Sequence, residues 1–229
     1  MKKIILSLGG SIILNKDGQP DILFLKSFKK LIEARIRKGE QFIIVTGGGS
    51  LCRILNKEMV KDFSVSSANL DWLGISVTRV NAQLVKMIFG DLAMPEIITD
   101  PTKKIVFNKK IILSGGWKPG RSTDFVATKL AEVYGADTVI NLSNIDYVYT
   151  ADPRKFADAQ PIKQISWKRF RKEIVGLKWK PGMNAPFDPI ASKLAEKLGL
   201  RVACLKGTDL QNLANFLDKK IFKGTVIEK

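Results

Sequence analysis

Residues 110–141 read KIILSGGWKPGRSTDFVATKLAEVYGADTVIN, and a change of period inside them decides the fold. Ile111, Ile112 and Leu113 form a short continuous apolar run, as in a strand covered on both faces. After a glycine-rich loop, STDFVATKLAEVY takes helical spacing and stops at Gly135, and DTVIN begins another apolar run. Strand, helix and strand joined this tightly form a βαβ unit, whose strands lie parallel.

The same rhythm continues outward. KIILSL at the start is a strand, and QFIIVT is a second. Between them, DILFLKSFKKLIEARIRKG puts Ile22, Leu25, Phe28, Leu31 and Ile32 on one helical face, from an Asp21 N-cap to a stop at Gly39. SLCRILNKEMVK is a helix, and residues 70–89 form a long one, with Leu70, Leu73, Val77, Val80, Leu84 and Ile88 at helical spacing before Gly90. Beyond the quoted stretch, YTADPRKFADAQPI is polar and aperiodic. A short basic helix, the loop GLKWKPGMNAPF, the helix DPIASKLAEKLG, the strand RVACL and a helix near 209–218 follow. The pattern predicts a three-layer αβα sandwich around a central, mainly parallel sheet, in one domain spanning 1–229.

Composition narrows the function. Of 229 residues, 45% are hydrophobic and 26% charged, close to globular averages. No apolar run approaches the roughly 20 residues of a membrane span. The opening MKKIILSLGGSIIL is interrupted by Gly9 and Gly10 with no cleavage site after it, so a buried first strand and a cytoplasmic protein are expected. Cys52 and Cys204 form no framework of spacings and read as core thiols. A net charge of +16 points to polyanionic partners, either nucleic acid or small phosphorylated molecules. The basic residues are dispersed, however, and stretches such as SWKRFRKE also read as solvated helix faces. With no nucleic-acid motif and no spanning segment, neither nucleic acid nor membrane is expected as a partner. The absence of histidine leaves catalysis to carboxylates, lysine, arginine, backbone dipoles or metal.

Three strands end in glycine clusters before a helix: SLGGS (7–11), VTGGGS (45–50) and SGGWKPGRST (114–123). Such turns gather at the carboxyl edge of an open α/β sheet, where bare backbone N–H groups and helix termini attract anions. The dinucleotide pattern G-x-G-x-x-G fails, because Cys52 stands where its third glycine belongs. Residues 115–122, GGWKPGRS, differ by one residue from the triphosphate loop G-x-x-x-x-G-K-[ST]. Arg121 is a poor substitute for a lysine acting as a compact charge between phosphates. Nor does TVINLSNIDY end its strand in the aspartate that such enzymes use for magnesium. The loop therefore reads as a phosphate loop of another kind.

Taken together, SLGGSII, IVTGGGSLCR, LDWLGISVTRVNAQL, GGWKPGRSTDFVATKLAE, INLSNIDYVYTADPRK and NAPFDPIASKLAEKLG resemble the amino acid kinase family, and within it the archaeal-type uridylate kinases, over nearly the whole chain. The L-D-x-x-G-I-x-x-T-R-x-N-A helix and the G-G-x-x-P-G-x-[ST]-T-D loop are the specific segments. The resemblance implies phosphorylation of UMP by ATP with Mg²⁺ carried by the nucleotide, and a homohexamer built from dimers. It implies acceptor binding mainly by residues 1–135 and ATP binding mainly by 136–229. Another small acceptor, or binding without turnover, is the alternative. An isopentenyl phosphate kinase would be expected to use a histidine, and this chain has none.

Carried over residue by residue, the resemblance implies that Gly9, Gly10, Gly49 and Arg53 face ATP, with Ser143, Asn144, Tyr149 and Asp152 lining its nucleoside pocket. Gly48, Asp71 and the run Trp117, Lys118, Pro119, Gly120, Arg121, Ser122 and Thr123 would surround UMP. Asp124 and Asp146 would organise cations or hydrated magnesium, and Lys193 and Arg121 would meet the phosphoryl group. Plainer roles compete: Ser122, Asp124, Asp71 and Asp188 as helix caps, Trp117 and Tyr149 as packing, and Lys193 as a solvated side chain. Two positions depart from the family pattern. Ser7 stands where many members carry a first-strand lysine, leaving Lys2, Lys3, Lys118, Arg121 and Lys193 as candidate replacements, and Tyr147 replaces a glycine.

Overall fold

A computed structural model describes residues 2–176 and 185–229. Most of the expected GLKWKPGMNAPF loop, residues 177–184, lies outside the described residues. The chain runs β1 (Lys3–Leu8), α1 (Gly10–Ile13), α2 (Ile22–Arg37), β2 (Gln41–Thr46), α3 (Gly49–Asp62), α4 (Ser67–Phe89), β3 (Ala93–Ile98) and β4 (Ile111–Ser114). It continues through α5 (Thr123–Tyr134), β5 (Thr138–Ser143), the short β6 (Val148–Tyr149) and β7 (Pro161–Ile162), then β8 (Gln164–Ser166) and α6 (Trp167–Arg169). After a π turn at Phe170–Val175 come α7 (Pro189–Leu198), β9 (Arg201–Lys206), α8 (Leu210–Leu217) and β10 (Thr225–Glu228).

Eight strands form one sheet in the order β3-β4-β2-β1-β5-β9-β10-β8. From β3 to β9 every pairing is parallel, as the βαβ pattern requires, and β10 runs antiparallel to β9. Strand residues alternate between two cores. Ile5, Ile43, Val45, Val139 and Val202 pack under α5 and α7, while Leu6, Phe42, Ile44, Ile140 and Leu205 pack under α2, α4 and α8. The three-layer expectation holds. Among the described residues, no helix is long and apolar enough to cross a membrane.

Several local expectations change. On α2, Asp21 caps Phe24 N–H at 3.0 Å as predicted, but Ile22 is 55% exposed and Phe24 is buried instead. On α4 the buried residues are Ile75, Val77, Thr78, Asn81, Ala82, Val85 and Phe89, and Val80 is 58% exposed. Of the predicted stripe, Val77 is buried, and Leu84 and Ile88 are partly buried against the core. The N-cap of α4 is Ser66, so Asp71 does not cap that helix. Cys204 is a buried thiol, pushed up to about 12 chiefly by removal from water. Cys52 is only half-buried, beside Gly48 and Gly74, so it is not a core thiol. The sequence reading did not assign β3, β8 or β10.

Candidate active site

Because β4, β2, β1, β5 and β9 are parallel neighbours, the turns that follow them meet along one carboxyl edge. The β1 and β2 turns are pinned by Gly9 N–H donating to Leu142 O and Gly47 N–H donating to Leu8 O, each at 2.9 Å. They approach so closely that a Cβ on Gly10 would lie 2.3 Å from Gly49 N, and one on Gly49 would lie 2.3 Å from Gly10 C. Gly49 also has φ +66°, where a side chain is strained. No side chain fits between these turns, which leaves a backbone-lined cradle suited to an anion. Arg53, the first cation on α3, reaches back across the cradle and donates to Ser11 Oγ at 3.1 Å.

One helix holds both this cradle and the loop after β4. From α4, Asn81 Nδ2 donates to Gly47 O at 2.7 Å, and Thr78 Oγ1 accepts from Gly116 N–H at 2.6 Å. Arg79 donates to the carbonyls of Gly116 and Trp117, each at 3.2 Å. Asp71 accepts from Gly120 N–H at 2.8 Å. Thr78, Arg79 and Asn81 lie in the T-R-x-N part of the quoted helix, yet the sequence reading gave them no role. The signal that could have found them is their spacing: three polar residues within four positions, on the stretch of helix that meets the sheet.

Within the loop, the Trp117 and Phe125 rings stack at 6.2 Å, with Lys118 Nζ 4.0 Å from the Trp117 centroid. Trp117 therefore packs against the core as well as walling the loop. Arg121 lies 5.1 Å from the Phe125 ring and donates to Gly120 O at 2.8 Å. Pro119 and Gly120 lie in the turn closed by Arg121 N–H donating to Lys118 O. Ser122 is the N-cap of α5, accepting from Phe125 N–H at 3.1 Å, and Thr123 opens that helix.

The carboxylates separate into two groups. Asp188 caps α7 through Ile190 and Ala191 N–H, and its other oxygen accepts from the Ser122 hydroxyl, which joins the starts of α5 and α7. Asp124 accepts from the Ser7 hydroxyl at 3.2 Å. Its carboxyl is pushed up to about 7, first by removal from water and then by the Asp188 charge. Ser7, in the place of the absent lysine, thus holds Asp124. Asp146 lies apart and exposed, paired with Lys206 Nζ at 3.3 Å. Lys206 ends β9 in register with Ser143 and is a further residue the sequence reading missed.

Ser143 Oγ is buried and has no hydrogen-bond partner among the described residues. Asn144 is exposed, and Tyr149 meets Tyr147 edge-on at 6.4 Å. Asp152 is held below the usual carboxylate range by Arg154, which it binds through both oxygens at 3.0 Å. Lys193 is exposed on α7, and among the described residues no hydrogen bond or ion pair ties it to the other site residues. Lys2 and Lys3 are excluded as replacements for the missing lysine. They lie where β1 begins, about 16 Å of strand from Leu8.

A profile described as the amino acid kinase family matches residues 2–206. The uridylate kinase of Methanospirillum hungatei is 34% identical over 100% of this chain and 96% of its own length. That of Methanocaldococcus jannaschii is 33% identical, covering 99% of each. The crystal structure of uridylate kinase from Archaeoglobus fulgidus matches with TM-score 0.82 and 30% identity, over 99% of this chain and 100% of that one. UMP kinase from Bacillus anthracis, at TM-score 0.77 and 16% identity over 99% and 96%, shares the fold.

Proposed function

Since the chain belongs to the amino acid kinase family, we propose that it transfers the terminal phosphoryl group of ATP to UMP, giving ADP and UDP. The observation that carries this reading is the bracing of two anion-binding turns by one helix. Asn81 holds the β2 turn, while Thr78 and Arg79 hold the β4 loop, so two phosphate groups bound there would face one another. Relatives named uridylate kinase over the full length support the same acceptor.

The acceptor is already an oxyanion, so transfer needs alignment and charge neutralisation more than proton removal, which suits a chain without histidine. Gly9, Gly10 and Gly49 would hold the donor phosphates by backbone N–H groups, and the α5 terminus with Arg121 would hold the α-phosphate of UMP. The unpartnered Ser143 hydroxyl, with Asn144 and Tyr149, would meet the ATP nucleoside. Lys206 joins Arg121 and Lys118 as a cation able to compensate the charge that Ser7 cannot. Magnesium, bound to ATP, would supply further neutralisation. Asp124 fits it as a hard oxygen donor, because its neighbours are Ser7 and Asp188 and no cation pairs with it among the described residues.

In this reading residues 1–135 mainly bind the acceptor and 136–229 mainly bind ATP. The reaction takes place in the cytoplasm, and copies of the chain associate as a homo-oligomer. Coupled measurement of ADP release across a panel of nucleoside monophosphates tests it. UMP should give the highest kcat/KM, and nucleotide binding without turnover on UMP or CMP would refute the proposal.

A further inference from the structure

A cavity of about 570 Å³ opens at the opposite, amino edge of the sheet, where β1, β5 and β9 begin. Its lining includes Lys2, Lys3, Arg201, Lys219 and Lys220 with one carboxylate, Asp137, although Lys3 Nζ lies over the Tyr134 ring, 5.6 Å from its centroid. Phe216 and Phe222, whose rings meet edge-on at 4.9 Å, supply an aromatic side. Arg201 is committed at both ends, to Glu228 at 3.5 Å and over the Phe216 ring at 5.8 Å, and Lys220 feels the charge of Asp218. Lys2 and Lys219 have no ion-pair partner among the described residues.

The backbone fixes where Lys219 stands. Lys219 is the one non-glycine residue with positive φ among the described residues, at +58°. It directly follows the α8 C-cap, Asp218, a position that glycine ordinarily fills at no cost. Glycine takes this conformation without a Cβ clash, and lysine does not. The conformation closes the end of α8, with Lys219 N–H donating to Phe216 O at 3.0 Å and Lys220 N–H donating to Asn215 O at 2.8 Å. Lys219, with no ion-pair partner among the described residues, thereby lines the concave basic wall.

The geometry points to a second anion site in this basin, separate from the carboxyl-edge site, which binds a small molecule bearing a polyphosphate chain. The volume lies within the range of small-molecule sites. Several ammonium groups around one concavity suit a flexible chain of like charges, since each contributes a point charge without demanding a fixed planar geometry. The Phe216 and Phe222 side could receive a group attached to that chain, so the ligand is either free polyphosphate or a nucleoside triphosphate.

The test is calorimetric titration of the full-length protein with the carboxyl-edge site blocked by an adenosine–uridine pentaphosphate bisubstrate analogue. Inorganic tripolyphosphate and ATP are the separate probes. One tripolyphosphate should bind per chain. ATP binding about tenfold tighter would identify the attached group as part of the ligand, by aromatic contact, and equal affinity would identify the phosphate chain alone. Joint Lys219→Glu and Lys220→Glu substitution should weaken binding at least about tenfold, with kcat and both KM values for ATP and UMP unchanged. Lys219→Gly should raise the melting temperature by relieving the left-handed strain, yet still weaken tripolyphosphate binding. No binding to the blocked protein, or unchanged affinity in the variants, overturns the inference. So does tighter, steeply salt-dependent binding of a single-stranded oligonucleotide that the same variants abolish.

Discussion

Asp124 holds its proton to about pH 7 because burial and the Asp188 charge both penalise its ionised form. The unfolded chain gives up that proton near the ordinary carboxylate value of 3.8. Between those values the folded state binds more protons than the unfolded one, so this group lowers stability as pH rises through the interval. Asp124→Asn, which keeps an acceptor for Ser7 but carries no charge, should match the parent in thermal melts only below the ordinary carboxylate value of 3.8 and exceed it by a margin that grows until about pH 7. A parent that gains stability relative to the variant as pH rises would show that this environment had been misjudged. Reading DFVATKLAE as a sequence reveals the carboxyl group but not its neighbours, since Ser7 lies 117 residues away and Asp188 begins a different helix. Lys206 was missed for the same reason: its pairing with Asp146 depends on β9 lying next to β5.

At the scale of elements, α4 couples the two phosphate turns. Its polar residues bond to loop carbonyls and N–H groups rather than to other side chains, so the loops' positions follow the helix. Arg79→Ala removes two hydrogen bonds from a charged donor, each typically contributing about 1.5–3 kcal/mol. KM for UMP should therefore rise about tenfold or more, with KM for ATP nearly unchanged. Arg79→Lys should restore part of the difference. Equal increases in both KM values, or a fall in melting temperature with unaltered kinetics, would remove Arg79 as a positioning residue. The existence and end of α4 were readable from its spacing and Gly90, but which of its apolar positions face the sheet was not. The buried face includes Val77 of the expected stripe, with Leu84 and Ile88 at its margin, and it is centred on Ala82, Val85 and Phe89, because the sheet selects among positions of equal helical period. The strands β8 and β10 were not readable because their pairing comes from partners distant in sequence.

Over the whole molecule, the outer stripe of α4 remains uncovered, with Trp72 48%, Val80 58% and Met87 72% exposed. Apolar side chains concentrated along one helix face fit burial against a second copy, in keeping with the homo-oligomer proposed above. Val80→Glu should shift the species seen by light scattering to smaller mass. A parent that already runs as a 25.5 kDa monomer would refute the assembly. The sequence by itself determined the alternation of strands and helices, the parallel sheet and the glycine turns at strand ends, because period and backbone freedom are local properties. Tertiary structure alone decided that Gly10 and Gly49 touch, that Arg79 grips a loop 37 residues on, and that Lys2 and Lys3 belong to the far edge with Lys219. Those relations depend on which strands become neighbours and which way each one runs, and long-range packing sets both.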